Sequence, residues 1–255
     1  MTLTSFPICL SWMRRGRLKV GGQSAVYHCM SRTVNGEALF GALEKEQFRK
    51  MMWKVADFSG VEILTYCLMG NHFHVLVRVD PSERDIDDEE VVRRFRTLYP
   101  KPTKHQLMTA ERLAHELEMK TKEGARMRRM LVRRMNDVSE FMKTLKLRFS
   151  VWYNRTRGRF GPLWADRFKS VLVENSPWAL RTVGAYIDLN PVRTGEVKDP
   201  KDYRFSGYGE AVSTLGKAKQ GISALTGGRD PLKTYRIILF GKGTSGTGRG
   251  GETIP

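Results

Sequence analysis

Apolar residues change their spacing along the first sixty positions of the chain. Residues 25–32 (AVYHCMSR) are rich in apolar and aromatic side chains and end shortly before the turn signal Asn35-Gly36. That pattern predicts a first strand. From about Leu43 to Phe58, apolar side chains recur every three or four residues up to Ser59-Gly60. The spacing predicts a helix with one apolar face, which ends at this Gly.

Two further apolar segments follow, over residues 61–69 and 72–79, and they meet at Gly70-Asn71. A Gly-Asn pair between two apolar runs is typical of a hairpin turn. The first eighty residues therefore predict the order β-α-β-β.

The second half of the chain repeats the same two patterns. Apolar residues between Val138 and Trp152 have helical spacing, and residues 167–174 alternate like a strand. Ser176-Pro177 supplies a cap and a first-turn proline for a helix that we predict to end at Asn190, before Pro191. Residues beyond 210 have a weaker pattern, and 241–251 are dominated by Gly, Ser and Thr. We expect the tail to be flexible.

Residues 81–135 differ from both halves in their charge. An acidic run at 83–90 precedes a Pro-Lys-Pro segment and a helical stretch that ends in several arginines. We interpret this part as mostly solvated helix and linker inserted into the domain. The acidic run is interpreted as a surface feature and not as a cluster of catalytic carboxylates.

The charge of the chain indicates a polyanionic partner. Its 255 residues include 44 Lys+Arg against 27 Asp+Glu, which gives a formal net charge of +17. Lys and Arg side chains that neutralise phosphates release condensed counterions, so nucleic acid is the favoured partner. No apolar stretch approaches the roughly 18–20 residues that a membrane-spanning helix needs.

The cysteines favour a reducing compartment. Cys9, Cys29 and Cys67 are spaced for neither a disulfide framework nor a Cys-rich zinc site, so we predict a cytoplasmic protein. The first twelve residues lack the basic start of a signal peptide, and Met13 is an alternative start of the chain.

Two histidines, His72 and His74, lie two residues apart at the start of the second strand of the predicted hairpin. Strand side chains alternate between faces, so His72 and His74 project from one side of the sheet and Phe73 from the other. Neutral imidazole is the commonest metal ligand in proteins, and such a pair needs only one or two more ligands. The pair alone fits half-buried structural histidines equally well.

Tyr186 and Asn190 lie four residues apart on a predicted helix and therefore on one of its faces. A phenol with a pKa of about 10 is a poor nucleophile unless its electrophile is polarised. A metal on the histidine pair would polarise a phosphate oxygen, with the Asn190 carbonyl oxygen as a third ligand. Taken alone, Tyr186 also fits a packed tyrosine.

His72-Phe73-His74 followed by residues 186–195 (YIDLNPVRTG) resembles the single-tyrosine HUH transposases, most closely the REP-associated tyrosine transposases of bacteria. Residues 25–32, 69–74 (MGNHFH) and 161–169 (GPLWADRFK) add matches in the family's order. The resemblance covers about residues 18–210. The charged stretch 81–135 is the exception, because it is longer than the family's usual connection.

The resemblance implies an α+β fold: a ferredoxin-like, RRM-like antiparallel sheet with helices packed on one face, here with a charged helical insertion. It also implies that the protein cuts single-stranded DNA folded into hairpins and holds the 5′ end as a phosphotyrosine while freeing a 3′ hydroxyl. When the site residues of the family are matched to this sequence, the resemblance implies that Tyr186 is the nucleophile and that His72, His74 and Asn190 bind Mg²⁺ or Mn²⁺.

Several side chains beside these elements are candidates for contacts with DNA. Trp152, Tyr153 and Trp164 are candidates for base stacking, although each also fits an apolar core. Tyr153 is the alternative nucleophile, and His28 is interpreted as a strand residue packed near the site. The candidates for phosphate contacts are the basic residues Arg32, Arg148, Arg155, Arg157, Arg159, Arg167, Lys169 and Arg193.

We therefore predict an N-terminal extension over residues 1–17, a catalytic domain over 18–210 and a C-terminal extension over 211–255. A monomer is favoured over a homodimer. Two other functions stay open: a module that binds single-stranded DNA or RNA without chemistry, and a metal-dependent nuclease that uses activated water.

Overall fold

The computed structural model describes residues 19–80, 86–101, 108–214 and 216–241. The predicted N-terminal extension, the start at Met13 and the tail beyond residue 241 lie outside these ranges. No helix within them is long and apolar enough to cross a membrane. The elements in chain order are β1 (Ala25–Arg32), α1 (Ala42–Ser59), β2 (Glu62–Leu68), β3 (His72–Val79), α2 (Asp88–Leu98), α3 (Ala110–Glu118), α4 (Lys122–Val132), α5 (Val138–Arg157), β4 (Lys169–Val173), α6 (Pro177–Asp188), α7 (Asn190–Arg193), α8 (Gly207–Ser213), α9 (Lys217–Thr226) and α10 (Pro231–Phe240).

The four strands form one antiparallel sheet in the order β2-β3-β1-β4. In the register between β1 and β3, Arg32 lies opposite His72 and Met30 opposite His74. On the other side of β1, Met30 lies opposite Lys169 of β4. With α1 connecting β1 to β2 and α5 preceding β4, this is the ferredoxin-like arrangement, and the predicted α+β fold is confirmed.

One face of the sheet carries the main aromatic core. Phe73 points to this face, and its ring lies 4.6 Å from that of Phe48 on α1. Phe149 of α5 lies 5.0 Å from Phe48 between ring centroids. Helix α1 ends at Gly60, whose left-handed φ of 64° turns the chain back toward β2. Helices α1 and α5 therefore cover this face, as predicted.

The opposite face is covered near β2 by α6, which the sequence pattern predicted, and by helices after residue 210, which it did not. Helices α6 and α9 pack against β2, and α10 packs on α6 and α9. The buried carboxylate of Asp188 joins α6 to β2 and α10, because it accepts hydrogen bonds from the Thr65 hydroxyl at 2.7 Å and the Tyr235 hydroxyl at 2.7 Å. The domain boundary predicted at residue 210 therefore falls inside α8, and the described residues beyond it belong to the domain.

In its described residues, 86–101 and 108–135, the charged insertion is a packed helical layer and not mostly the solvated helix and linker that we predicted. Helices α2, α3 and α4 pack on one another, and α2 also packs on α1. Their inward side chains, such as Phe95, Leu113 and Leu131, are buried. Of the acidic run, Asp87 caps α2 and Glu90 pairs with Arg94. These carboxylates stabilise the first turn of a helix, consistent with a structural role.

Candidate active site

The structure brings the predicted nucleophile next to the histidine pair. The rings of His72 and His74 lie 5.2 Å apart and almost perpendicular, on the face opposite Phe73. The ring of Tyr186 lies 6.0 Å from His74 between centroids. Tyr186 is 42% exposed, so a substrate can reach its phenol. More than a hundred residues separate the two parts in sequence, and they meet because α6 crosses this face of the sheet.

Helix α6 is fixed at both ends. The Ser176 hydroxyl accepts a hydrogen bond from the Ala179 amide, and Pro177 occupies the first turn. At the other end, Asp188 also accepts a hydrogen bond from the Tyr208 amide at 2.9 Å. Tyr186 is two residues from this buried anchor, so the position of its ring depends on the contacts of Asp188.

The end of α6 differs from the prediction. The helix ends at Asp188, and residues Asn190–Arg193 form a further helical turn with Pro191 near its start. Proline has no N–H for the Ile187 carbonyl. The side-chain amide of Asn190 donates to that carbonyl at 3.1 Å and to the Tyr186 carbonyl at 2.9 Å. This use of the amide nitrogen leaves Oδ1 as the Asn190 atom that can coordinate a metal.

Arg193 reaches back over the tyrosine because of this extra turn. Its guanidinium carbon lies 4.6 Å from the centroid of the Tyr186 ring, within the range of a cation–π contact. The contact holds a positive charge beside the phenol. Arg193 thus lies next to Tyr186, the predicted nucleophile.

Each histidine of the pair has a partner on its Nδ1 atom. The Nδ1 of His72 lies 2.7 Å from Oδ1 of Asn71, whose own amide nitrogen donates to the Gly36 carbonyl at 2.9 Å. Since Oδ1 only accepts, Nδ1 of His72 must carry the proton. The Nδ1 of His74 lies 2.9 Å from Nε2 of His28, and both rings are buried. The contacts of Asn71 and His28 were not predicted from the sequence.

All three imidazoles are neutral near pH 7. Burial lowers the pKa of His28 to about 4. Burial, reinforced by the neighbouring His28, His72 and Arg32, lowers the pKa of His74 to about 3. The pKa of His72 is also lowered, first by burial and then by Arg32. Neutral imidazole is the form that binds metals.

The histidine pair fits a divalent metal in its charge state, and His72 also fits it in its tautomer. A protonated Nδ1 leaves the lone pair on Nε2, and metal-binding histidines usually have such a partner on the other nitrogen. No group of three His, Cys, Asp or Glu side chains among the described residues can hold a metal by itself. The chain would therefore offer two imidazoles and Asn190 Oδ1, with substrate or water oxygens filling the remaining positions.

A cleft of about 540 Å³ opens over the histidine pair. It includes three of the predicted phosphate-binding residues, Arg32, Arg167 and Lys169. It also includes Asp166, which the sequence interpretation did not single out although it lies within the quoted GPLWADRFK segment. The full lining consists of Met30, Ser31, Arg32, His72, His74, Ala165, Asp166, Arg167, Lys169, Tyr186 and Asn190.

Five of the predicted phosphate-binding residues do not line this cleft: Arg193, which lies over the Tyr186 ring, and four arginines of α5 and the loop after it. Arg148 donates to the Leu98 carbonyl at 3.2 Å on the insertion side of α5. Arg157 pairs with the buried Glu44, and Arg159 lies 3.7 Å from Glu37. Arg155 is exposed near the end of α5. Helical periodicity places charges outside the core but does not say which face of the domain they reach.

The three aromatic candidates for base stacking pack in or against the core, which is the alternative that the sequence allowed for each of them. Trp164 packs into the core, with its ring 5.6 Å from Phe73 and 5.7 Å from Phe40. Tyr153 is buried, which also removes it as an accessible nucleophile. Trp152 is partly buried and packs 5.5 Å from Phe149. These three rings pack on the face of the sheet that α1 and α5 cover.

Comparison with known proteins gives one family match. Residues 23–99 match the family model described as "Transposase IS200 like". A solved structure of a REP-associated tyrosine transposase bound to a REP hairpin is similar with a TM-score of 0.48 and 15% identity, over 79% of this chain and 87% of the other. No curated protein matches the chain. The family match includes His28, His72 and His74 but stops before Tyr186.

Proposed function

We propose that this chain, an IS200-like transposase by its residues 23–99, cuts and rejoins single-stranded DNA through a covalent bond to Tyr186. The observation that carries the proposal is the ring of Tyr186 lying 6.0 Å from that of His74 beside a cleft with three basic side chains. Because the family match ends at residue 99, the role of Tyr186 rests on this position and on the resemblance of residues 186–195.

The reaction needs one nucleophile and no nucleotide cofactor. The Tyr186 hydroxyl oxygen attacks the phosphorus of one phosphodiester, the bond to the 3′ oxygen breaks, and the phenol proton leaves. The departing strand takes up a proton as a 3′ hydroxyl, and the 5′ phosphate stays on the tyrosine. A later 3′ hydroxyl attacks that phosphotyrosine and releases Tyr186, which rejoins the DNA.

The remaining side chains bind and orient the substrate. Arg32, Arg167 and Lys169 offer contacts to phosphates, and Arg193 adds positive charge at the nucleophile. His72, His74 and Asn190 would hold Mg²⁺ or Mn²⁺, which would supply Lewis-acid polarisation of a phosphate oxygen. Binding of DNA hairpins follows from the family resemblance, and the net charge of +17 suits such a polyanion.

A single chain supplies every group that this mechanism uses. His72, His74, Tyr186 and Asn190 meet within one copy, which supports action as a monomer. Cys29 and Cys67 are buried and are not joined in a disulfide, which suits the reducing cytoplasm.

The direct test is to locate the covalent bond. The wild-type protein is incubated with Mn²⁺ and a single-stranded DNA that carries a hairpin. A nick in this DNA lets the fragment that cleavage releases diffuse away. After nuclease and trypsin digestion, we expect the nucleotide on the peptide covering residues 182–193, whose only tyrosine is Tyr186. Tyr153 falls in a different peptide, residues 149–155. Mass spectrometry thus identifies the nucleophile.

The same assay distinguishes the other functions. Cleaved DNA without an adduct would contradict the proposal in favour of a nuclease that uses activated water. Bound but intact DNA would favour a binding module. An adduct on residues 149–155 would move the nucleophile to Tyr153.

Arginines on the cleft side and on the insertion side of the domain should contribute differently to DNA binding. We expect Arg167→Ala, which removes a cleft cation, to weaken single-stranded DNA binding about tenfold, as loss of one charged hydrogen bond does. The slope of log affinity against log salt should fall by about 0.7. The matched control is Arg148→Ala, an arginine on the insertion side of α5. Fluorescence anisotropy over a salt series measures both, and equal losses would contradict the placement of DNA in the cleft.

A further inference from the structure

His28 contacts both halves of the proposed site. Its Nε2 lies 2.9 Å from Nδ1 of His74, and its ring centroid lies 6.1 Å from that of Tyr186. In the sheet register Met30 is opposite His74, so His28 is the diagonal neighbour of His74 on the same face. Diagonal neighbours meet when their side chains are as long as an imidazole ring. This contact joins β1 to the metal-binding strand.

We propose that His28 is a positioning residue that sets the tautomer and the ring orientation of His74. The inference rests on the proposed function, since it takes His74 as a metal ligand. When Nδ1 of His74 donates its proton to Nε2 of His28, the lone pair of His74 lies on Nε2. A partner on the second nitrogen is what metal-ligating histidines usually have.

Burial protects this hydrogen bond between His28 and His74 from competition with water. His28 and His74 are 8% and 7% exposed, so water does not readily replace either partner. Without His28, the Nδ1 proton of His74 would lose its acceptor in a buried place, which favours the other tautomer or another rotamer. In either case Nε2 would no longer present its lone pair in a fixed direction. Asn71 has the corresponding contact with His72, so each ring of the pair has a partner at its Nδ1 atom.

The neighbouring tyrosine suggests a different task for the same residue. As the base that accepts the phenol proton, His28 would affect cleavage but not metal binding. As a positioning residue, it affects metal binding before any DNA is present. The hydrogen bond to His74 favours the second role, because it occupies Nε2 of His28.

The test uses the full chain without DNA. Mn²⁺ affinity is measured by electron paramagnetic resonance for the wild type, His28→Leu and His28→Gln. We expect His28→Leu to weaken binding 10–100-fold, the range for loss of such a partner. A glutamine amide can occupy the place of Nε2, so His28→Gln should recover most of the affinity. His115→Leu, which removes an exposed histidine of α3, is the matched control and should bind like the wild type.

Nitrogen NMR of the metal-free protein gives a second readout. In the wild type, we expect His74 to carry its proton on Nδ1, and in His28→Leu we expect a mixture of tautomers. His72→Ala tests the proposed metal site itself. If His72→Ala loses Mn²⁺ affinity and His28→Leu does not, the inference about His28 is overturned and the proposed site stands.

Three other outcomes overturn the inference. If Mn²⁺ affinity is absent in the wild type or unaffected by His72→Ala, the metal assignment fails together with it. If the wild-type His74 carries its proton on Nε2, His28 does not set the required tautomer. If His28→Leu binds Mn²⁺ normally but fails in cleavage, the role of His28 lies at Tyr186.

Discussion

Tyr186→Phe is expected to abolish the covalent DNA adduct while leaving folding and DNA binding unchanged. The substitution removes one oxygen, the atom that attacks phosphorus, and keeps the ring that packs near His28 and His74. Arg193 can still stack on a phenylalanine ring. Because no other group in the cleft can form a stable phosphotyrosine, strand cleavage should fall by at least about 10³-fold, as with other lost nucleophiles.

The measurement is a denaturing gel with two labels. A 3′-end label should shift with the wild-type protein, and a 5′-end label should appear as a short free strand. In Tyr186→Phe both labels should stay on intact DNA, with wild-type affinity in an anisotropy assay. Tyr153→Phe is the matched control, since this tyrosine is buried on the helical face, and it should retain the adduct. An adduct in Tyr186→Phe would refute the assigned nucleophile.

Asp188→Ala is expected to lower the free energy of unfolding by about 3–5 kcal/mol, because buried donors lose their acceptor. These donors are the hydroxyls of Thr65 and Tyr235 and the amide of Tyr208. They belong to β2, α10 and α8, so the substitution loosens α6 from three neighbours at once. Since Tyr186 lies two residues before Asp188, adduct formation should also fall. Urea unfolding followed by circular dichroism measures the change in stability.

The control is Asp202→Ala, which removes an exposed carboxylate and should change stability by no more than about 0.5 kcal/mol. A similar small effect for Asp188→Ala would show that the carboxylate does not hold the C-terminal helices to α6.

The pH dependence of stability isolates the charge of Asp188. Burial raises its pKa to about 6, against the opposing effect of its hydrogen bonds. A carboxyl group whose pKa is raised on folding stabilises the fold in its protonated form, and this contribution is lost as the pH rises through 6. Lowering the pH from 7 to 4.5 should therefore stabilise the wild type relative to Asp188→Asn by about 2 kcal/mol. A difference that does not change with pH would contradict the raised pKa.

The secondary structure of the central domain was largely predictable from local patterns. The strand at residues 25–32 and the helix around Phe48 match the structure because each buries one face, and burial leaves a period in the sequence. The helices after residue 205 were not predicted. They are short and bury side chains such as Ile222 and Leu239 against several elements, so no single period marks them.

The candidate site was predictable only in its parts. The spacing of His72 and His74 determines that both rings share a face, whatever the rest of the chain does. Whether Tyr186 reaches them depends on where α6 crosses the sheet, which is set by the contacts of Asp188 with residues far away in the chain. The four arginines of residues 148–159 lie outside the cleft for the same reason.

The sequence by itself determined the alternation of the strands, the first helix, the strong positive charge and the shared face of the histidine pair. These features depend on neighbours a few residues apart. The tertiary structure alone decided that Tyr186, His28 and Asn71 surround that pair and that three basic side chains line the cleft beside it. Such contacts join residues up to 158 positions apart, as between His28 and Tyr186, and depend on sheet order and helix docking, which no local period encodes.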